Sequence, residues 1–363
     1  MKPNILFFSP REVNATMGGI ERVTDTLARY LINDGYKVVF MSVERTCDTA
    51  YDCVAPQYFT RESGNEQYIL EIISRHGITV VVNQMGFFSY CRRSALPSTA
   101  KVITVMHDSF YAMYPRLQLN FLRKWNWRRV ITRLMRNTYE NSDRIVVFVP
   151  EFTQEYRFFC PEAKEEKFAV IPNFNSYSNP RPALQKEKRL VWVGRHSEWH
   201  KRTTDMLRIW SMLEPRFPDW SLDILGDGPD GERVRKLHRQ LGLERCRLCG
   251  VQDPQPYYER AQIVCMTSAF ESFGMVLTEG MQHGCVPVAY DSYTAVRHII
   301  HDGEDGLLVT PFSTEEYALR LAQLMENEAE LDRMSAAARA SVRQYDAEKI
   351  LPKWIELIDS QCD

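Results

Sequence analysis

Short runs of apolar, largely β-branched residues alternate along the chain with longer stretches whose apolar positions recur at helical spacing. In the first half the apolar runs fall at residues 5–9, 38–41, 80–82, 102–106 and 145–149, with helical patterns over 20–33 and 66–75 between them. Runs that are apolar throughout, rather than alternating, suit strands buried on both faces, so a parallel sheet covered by helices is expected. At 172–182 the pattern breaks into Pro, Asn and Ser, which disfavour regular structure and read as a linker. The alternation then restarts. Strands are expected at 190–193, 222–225, 247–249, 263–266 and 286–289, and helices over 203–216, 232–241, 275–282 and 315–325. A last helical pair follows at 328–345 and 347–358.

The pattern therefore predicts two doubly wound α/β domains, 1–175 and 176–345, with the closing segment 346–363 packing back on the first. Ligands of such sheets sit beyond the carboxyl ends of the strands. Two such domains facing each other would make an interdomain cleft, the usual place for a small-molecule site.

Composition narrows the class. At 363 residues with 44% hydrophobic residues, a useful core needs no disulfide or metal staple. The nine cysteines are odd in number and scattered, which fits a reducing compartment rather than a disulfide framework. Cys246 and Cys249 have CxxC spacing without a second pair and lie in a strand-like run. The start enters a strand-like run at once, so no secretory leader is expected. No stretch approaches the ~18 apolar residues of a membrane span, so a cytoplasmic protein is expected.

A net charge of −2 excludes a general polyanion binder, but the charge is uneven. Residues 1–180 hold 22 Lys/Arg and 18 Asp/Glu, leaving 45 − 22 = 23 and 47 − 18 = 29 for the remainder. Residues 116–136 carry seven Lys/Arg, two Trp and no acid, with Trp127, Val130, Ile131 and Leu134 at helical spacing. This suits a helix lying on the anionic inner face of a cell membrane, but the same features suit, in preference, a helix that covers the domain and solvates a basic face. Nucleic acid is not expected, since no recognition motif accompanies the patch.

Several short motifs could carry chemistry. Gly18 and Gly19 follow the first strand and open a helix. They allow a tight turn and close approach of a phosphate or sugar oxygen, or they are a plain turn. The dinucleotide GxGxxG spacing is missing, which counts against a nicotinamide enzyme. His107 and Asp108 end a strand, where the His could donate to a sugar hydroxyl or be a satisfied loop histidine. Arg195 follows Gly194 at a strand end and Lys201 comes six residues later. Together they could clamp a diphosphate and neutralise charge on a leaving group, or solvate a basic loop. His196 and His200 in that loop lack the carboxylate cluster a metal would need. Gly226-Asp-Gly-Pro229 has turn chemistry and reads as structural. The strongest signal is Glu271-Ser-Phe-Gly-Met-Val-Leu-Thr-Glu279. Glu271 precedes a helix N-terminus, and Glu279 lies on a helix face that looks buried, where a carboxylate needs a partner.

With these residues in hand, the chain resembles the retaining glycosyltransferases of the GT-B fold called glycosyltransferase family 4. The likeness runs through Gly194-Arg195, Lys201, Gly226-Asp-Gly-Pro229, Glu271 to Glu279, Gly284-Cys-Val-Pro-Val288 and Asp302-Gly-Glu-Asp-Gly-Leu-Leu-Val309, and more loosely through Gly18-Gly19 and His107-Asp108. The resemblance implies that Arg195 and Lys201 hold the donor diphosphate. It implies that Glu271 contacts the transferred sugar, aided by backbone at Phe273, Gly274 and Met275, and that Glu279 holds the ribose. Gly18 and Gly19 would sit near phosphates or acceptor, His107 would touch the donor sugar, and Val251 joins the donor-binding set. No metal or other cofactor is implied, and no Asp-x-Asp pair is present. Three departures stand out: Arg202 and Phe174 where the family often has Gly, and Tyr293-Thr294-Ala295 where paired small residues are common.

The expectation is thus transfer of a hexose-type sugar, from a UDP-sugar in preference to other donors, to a hydroxyl of a growing glycan. The acceptor class is a bacterial surface polysaccharide or lipid-linked oligosaccharide. The alternatives are a nucleotide-sugar epimerase of the same fold and a non-catalytic sugar-nucleotide-binding subunit.

Overall fold

The computed structural model describes residues 2–11, 19–44, 57–58, 65–84, 86–107, 109–117, 119–175, 177 and 186–361. The chain divides into two compact units, Met1–Ser176 with Ala347–Asp363, and Tyr177–Asp346.

Unit 1 holds β1 (Asn4–Arg11), β2 (Lys37–Glu44), β3 (Gln57–Tyr58), β4 (Val80–Asn83), β5 (Lys101–Val105), β6 (Arg144–Val147) and β7 (Phe168–Val170). Its sheet runs β3-β2-β1-β4-β5-β6-β7, every described pairing parallel. Helices α1 (Gly19–Asn33), α2 (Asn65–His76), α3 (Phe110–Met113), α4 (Phe121–Asn141) and α5 (Phe152–Phe159) join the strands. Ile5, Leu6, Phe7 and Phe8 are all 0% exposed, so consecutive side chains on opposite faces of β1 are covered equally. Each such side chain contributes roughly 1.5–3 kcal/mol, which is why the apolar runs select strands with helices on both sides.

Unit 2 repeats the plan with β8 (Glu187–Val193), β9 (Ser221–Leu225), β10 (Cys246–Gly250), β11 (Ala261–Met266), β12 (Val286–Tyr290) and β13 (Leu307–Val309). The order is β10-β9-β8-β11-β12-β13, again parallel. Its helices are α6 (Thr203–Leu213), α7 (Gly231–Leu241), α8 (Gln255–Arg260), α9 (Met275–Gln282), α10 (Val296–Ile299), α11 (Thr314–Glu326) and α12 (Glu328–Ser341). Trp192, Trp210 and Tyr317 anchor one face of this core. The last helix, α13 (Ala347–Asp359), belongs to unit 1, where it contacts α1 and where Tyr36 Oη donates to Asp359 Oδ1 at 2.8 Å.

The basic helix differs from its sequence expectation. Asn120 caps α4 by accepting from the Arg123 N–H at 3.0 Å. Its buried residues are Ile131, Met135 and Thr138, spaced i, i+4, i+7. That stripe is narrower than the apolar spacing suggested. Val130 is 58% exposed and Leu134 42%, and Phe121, Leu122 and Trp125 are 81%, 71% and 50% exposed.

Candidate functional site

The strand order of unit 2 reverses between β8 and β11, and ligands of such sheets bind beyond the carboxyl ends of the strands at that reversal. The loops leaving them carry the charged pair of the site. Lys201 Nζ donates to Glu271 Oε1 across 70 positions of sequence. His200 Nε2 stands 3.6 Å from the other carboxylate oxygen. The Lys201 and Glu271 side chains keep only 17% and 12% of their exposure. Burial pushes the Glu271 carboxyl up, but the Lys201 cation and the His200 ring outweigh it and hold the carboxyl well below its ordinary range. Glu271 is therefore a carboxylate at neutral pH, with its charge matched inside the protein.

Hydrogen bonds fix both loops. Trp192 Nε1 on β8 donates to Thr267 Oγ1 at the end of β11, at 3.0 Å. The Thr267 hydroxyl donates in turn to the Lys201 carbonyl at 2.9 Å. The Ala269 N–H donates to the His200 carbonyl at 2.7 Å, and the His200 ring stacks on Phe270 with centroids 4.4 Å apart. Glu198 accepts from the Thr204 N–H at 2.9 Å and so caps the first turn of α6. Arg202 adopts φ +52°, the left-handed region where glycine is cheap. This accounts for the glycine often found there in the family that the sequence resembles. In this chain the guanidinium holds the turn by bonding Asp205 at 2.6 Å and lying over the Phe312 ring at 4.5 Å.

Arg195 follows Gly194 and is exposed, with no ion pair among the described residues. Gly226 and Gly228 let the loop after β9 lie against this strand end. Gly226 has φ +125°, and a Cβ there would collide with the Gly194 carbonyl oxygen and lie 2.9 Å from its carbon. A Cβ on Gly228 would lie 2.6 Å from the His196 carbonyl oxygen and 2.9 Å from Arg195 Cγ. Lys201 Cδ passes 3.5 Å from where a Cβ on Gly194 would stand. Arg195 and Lys201 thus leave the same glycine-lined strand end, one free and one paired.

After Glu271 the chain turns at Gly274, whose φ of +106° places it before α9. Phe273 beneath the turn is 1% exposed and meets Tyr345 edge-on at 5.3 Å. Met275 begins α9, so the first-turn N–H groups open beside Glu271. Glu279 in the next turn is 3% exposed, and Tyr258 Oη donates to its Oε2 at 3.3 Å. The buried acid has a protein partner that the sequence did not disclose. Val251 stands just past β10 and is 77% exposed.

The remaining expected residues belong to unit 1. Gly19 is the exposed first residue of α1, while Gly18 and Asp108 lie outside the described residues. His107 follows β5 and is 8% exposed, with Nε2–H donating to the Gln84 side chain. Burial pushes its pKa down to about 3, so its ring is neutral. Thr267, Trp192 and Tyr258 were not anticipated as parts of the site. Each acts across 20 or more positions, beyond any helical or strand period. Among the described residues no three His, Cys, Asp or Glu side chains gather as a metal site would require.

Residues 17–175 match the family Glycosyltransferase Family 4, and residues 174–341 match Glycosyl transferases group 1. An uncharacterized glycosyltransferase of Haemophilus influenzae is 30% identical over 199 residues, 52% of this chain and 56% of that one. Lipopolysaccharide 1,6-galactosyltransferase of Salmonella typhimurium is 31% identical over 156 residues, 41% and 43% of the two chains. The matched stretches thus span about half the length of these curated relatives. The solved structure of Anabaena Alr3699/HepE in complex with UDP and glucose shares the fold, with a TM-score of 0.77 at 17% identity over 99% of this chain and 100% of that one. Matched in both halves, and built from two doubly wound α/β units of the GT-B class, the chain belongs to glycosyltransferase family 4, the glycosyl transferases group 1.

Proposed function

We propose that the protein transfers a hexose-type sugar, with retention, from a UDP-sugar to a hydroxyl of a growing bacterial surface or lipid-linked glycan. The Lys201–Glu271 pair at the strand-order reversal, beside free Arg195 and the start of α9, carries this reading. A departing nucleoside diphosphate needs positive charge fixed in advance of reaction. Arg195 is free to supply it, and Lys201 has three N–H donors of which Glu271 engages one. Glu271, held as a carboxylate, would accept hydrogen bonds from hydroxyls of the transferred sugar, and the N–H groups opening α9 would meet phosphate. Glu279 would hold ribose hydroxyls, with Tyr258 fixing its rotamer. No divalent ion enters this scheme, because Arg195 and Lys201 supply the charge.

The test is a thermal-shift screen across UDP-, GDP- and ADP-sugars, followed by NMR of the anomeric product with and without EDTA. A UDP-sugar should raise the melting temperature, and the product should keep the donor's anomeric configuration with EDTA present. Glu271→Gln should abolish transfer and still bind UDP. Wild-type turnover in that variant would refute the role assigned to Glu271, and donor conversion without acceptor would favour an epimerase.

We also propose that the protein works at the inner membrane surface through α4. Phe121, Leu122, Trp125, Val130 and Leu134 are exposed among Arg123, Lys124, Arg128, Arg129 and Arg133. Each Lys or Arg near an anionic leaflet contributes about 1 kcal/mol, and the apolar side chains add burial. Among the described residues no helix is long and apolar enough to cross a membrane. Co-sedimentation with phosphatidylglycerol vesicles, lost in 0.5 M salt (a screening length of roughly 4 Å) or in Leu122→Glu/Trp125→Glu, is the expected result. Equal binding to neutral vesicles would overturn it.

A further inference from the structure

Tyr293 lies three residues past β12, and β12 neighbours β11 on the side away from β8. Its loop therefore flanks the Glu271 turn on the side opposite Arg195. The side chain is 5% exposed, yet its hydroxyl has no hydrogen-bond partner among the described residues. That hydroxyl faces Gly274. A Cβ on this glycine would collide with Tyr293 Oη and lie 3.4 Å from Cζ. Only a glycine leaves room for the phenol at this turn. Burial raises the phenol's pKa well above its ordinary value, and the Glu271 charge raises it further, so the proton stays on as a donor.

A buried hydroxyl without a partner is costly to keep, and such groups in native proteins are generally explained by something that binds there. The groups around this one select the partner. Glu271 accepts only, so it takes sugar hydroxyls as donors. A sugar hydroxyl that donates to Glu271 retains lone pairs, and an adjacent phenolic O–H can use them. Phosphate is served by the cations on the other side of the turn.

We propose that Tyr293 is a specificity-determining residue whose hydroxyl donates a hydrogen bond to a hydroxyl of the transferred sugar, next to Glu271. This rests on the sugar-transfer reading of the same site. It makes the Gly274–Tyr293 contact a shape and hydrogen-bond filter for the donor's sugar, separate from the grip on its diphosphate. A donor lacking the partnered hydroxyl leaves the phenol unsatisfied and is disfavoured.

The test compares wild type with Tyr293→Phe, using UDP alone and a panel of UDP-glucose, UDP-galactose, UDP-N-acetylglucosamine, GDP-mannose and ADP-glucose. Tyr293→Phe removes only a hydroxyl that the fold does not use, so the ligand-free melting temperature should hold or rise. Affinity for the free nucleoside diphosphate should be unchanged, and kcat/KM for the active donor should fall roughly three- to tenfold, as for one lost hydrogen bond. Monodeoxy analogues of that donor provide a second measurement on the unaltered protein. One of them should lose at least that factor on wild type, because its hydroxyl also serves Glu271, and should lose less on Tyr293→Phe than on wild type, by the factor the phenol contributes. Unchanged kcat/KM in Tyr293→Phe, an equal loss of UDP affinity, or additive losses for every analogue would each overturn the assignment. If wild type neither binds nor turns over any of the donors, the sugar-transfer reading itself fails, a result distinct from a selective failure at Tyr293.

Discussion

Replacing Lys201 with Met keeps the length of the side chain and removes its charge. Glu271 is then left with 12% side-chain exposure, facing the His200 ring at 3.6 Å and no matching cation among the described residues. Breaking a buried ion pair from one side typically costs 3–5 kcal/mol, because the other charge loses its match without regaining water. This pair is not fully dry, so the lower end applies, about 3 kcal/mol. A Coulomb estimate at an effective dielectric of 20 gives about 4 kcal/mol for charges 4 Å apart, the same size. Unit 2 spans 346 − 177 + 1 = 170 residues. At roughly 2–4 °C per kcal/mol for a domain of that size, its transition should fall by about 6–12 °C in calorimetry without ligand. The double variant Lys201→Met/Glu271→Gln should recover most of the loss, since no unmatched charge remains. The pH dependence has a definite sign. The folded Glu271 carboxyl lies below its unfolded value, so the unfolded chain takes up the proton first. The pair's contribution is present above the reference value of 4.5 and fades as pH falls below it. The gap between wild type and Lys201→Met should therefore narrow in acid. A single variant melting within about 2 °C of wild type, or a double variant losing the sum of both singles, would refute the reasoning.

Gly226→Ala should cost about 3 kcal/mol or more in urea denaturation, because its φ is +125° and the atom it would strike is the Gly194 backbone; wild-type stability would disprove the close approach. At Arg202, Gly should be more stable than Ala by about 1 kcal/mol, reversing their usual order, since φ is +52° and both lose the Asp205 and Phe312 contacts; thermal melts of the two variants decide it. His107 stays neutral in the folded protein down to about pH 3, whereas the unfolded chain protonates near 6.5. Stability should therefore fall by about 2 kcal/mol between pH 7 and 5, and His107→Gln should flatten that slope in denaturant titrations at each pH.

The two sheets could be read from the sequence because their central strands are apolar on both faces, as at β1 and β4. The short edge pieces β3, β7 and β13 could not, since two or three residues carry no period. The position of Glu271 before a helix was legible from Gly274 and the apolar run after it. Its pairing with Lys201 was not, because both were assigned to a ligand and nothing in sequence spacing joins positions 70 apart. Glu279 was expected to need a partner, yet Tyr258 emerges only once α8 and α9 flank the same strand. On α4 the spacing of Val130, Ile131 and Leu134 was real, but helical periodicity does not say how wide the covered stripe is.

Because α13 completes unit 1 from beyond unit 2, unit 1 is discontinuous in sequence. During synthesis at about 5–20 residues per second, every residue of unit 2 leaves the ribosome before the segment that docks on α1. The early half of the chain must wait in an unfinished state, with the α1 surface uncovered, while the later half can already close its sheet. Completion of the two units thus runs against chain order, and a nascent chain stalled after Asp346 would lack the helix that covers α1 of the first unit.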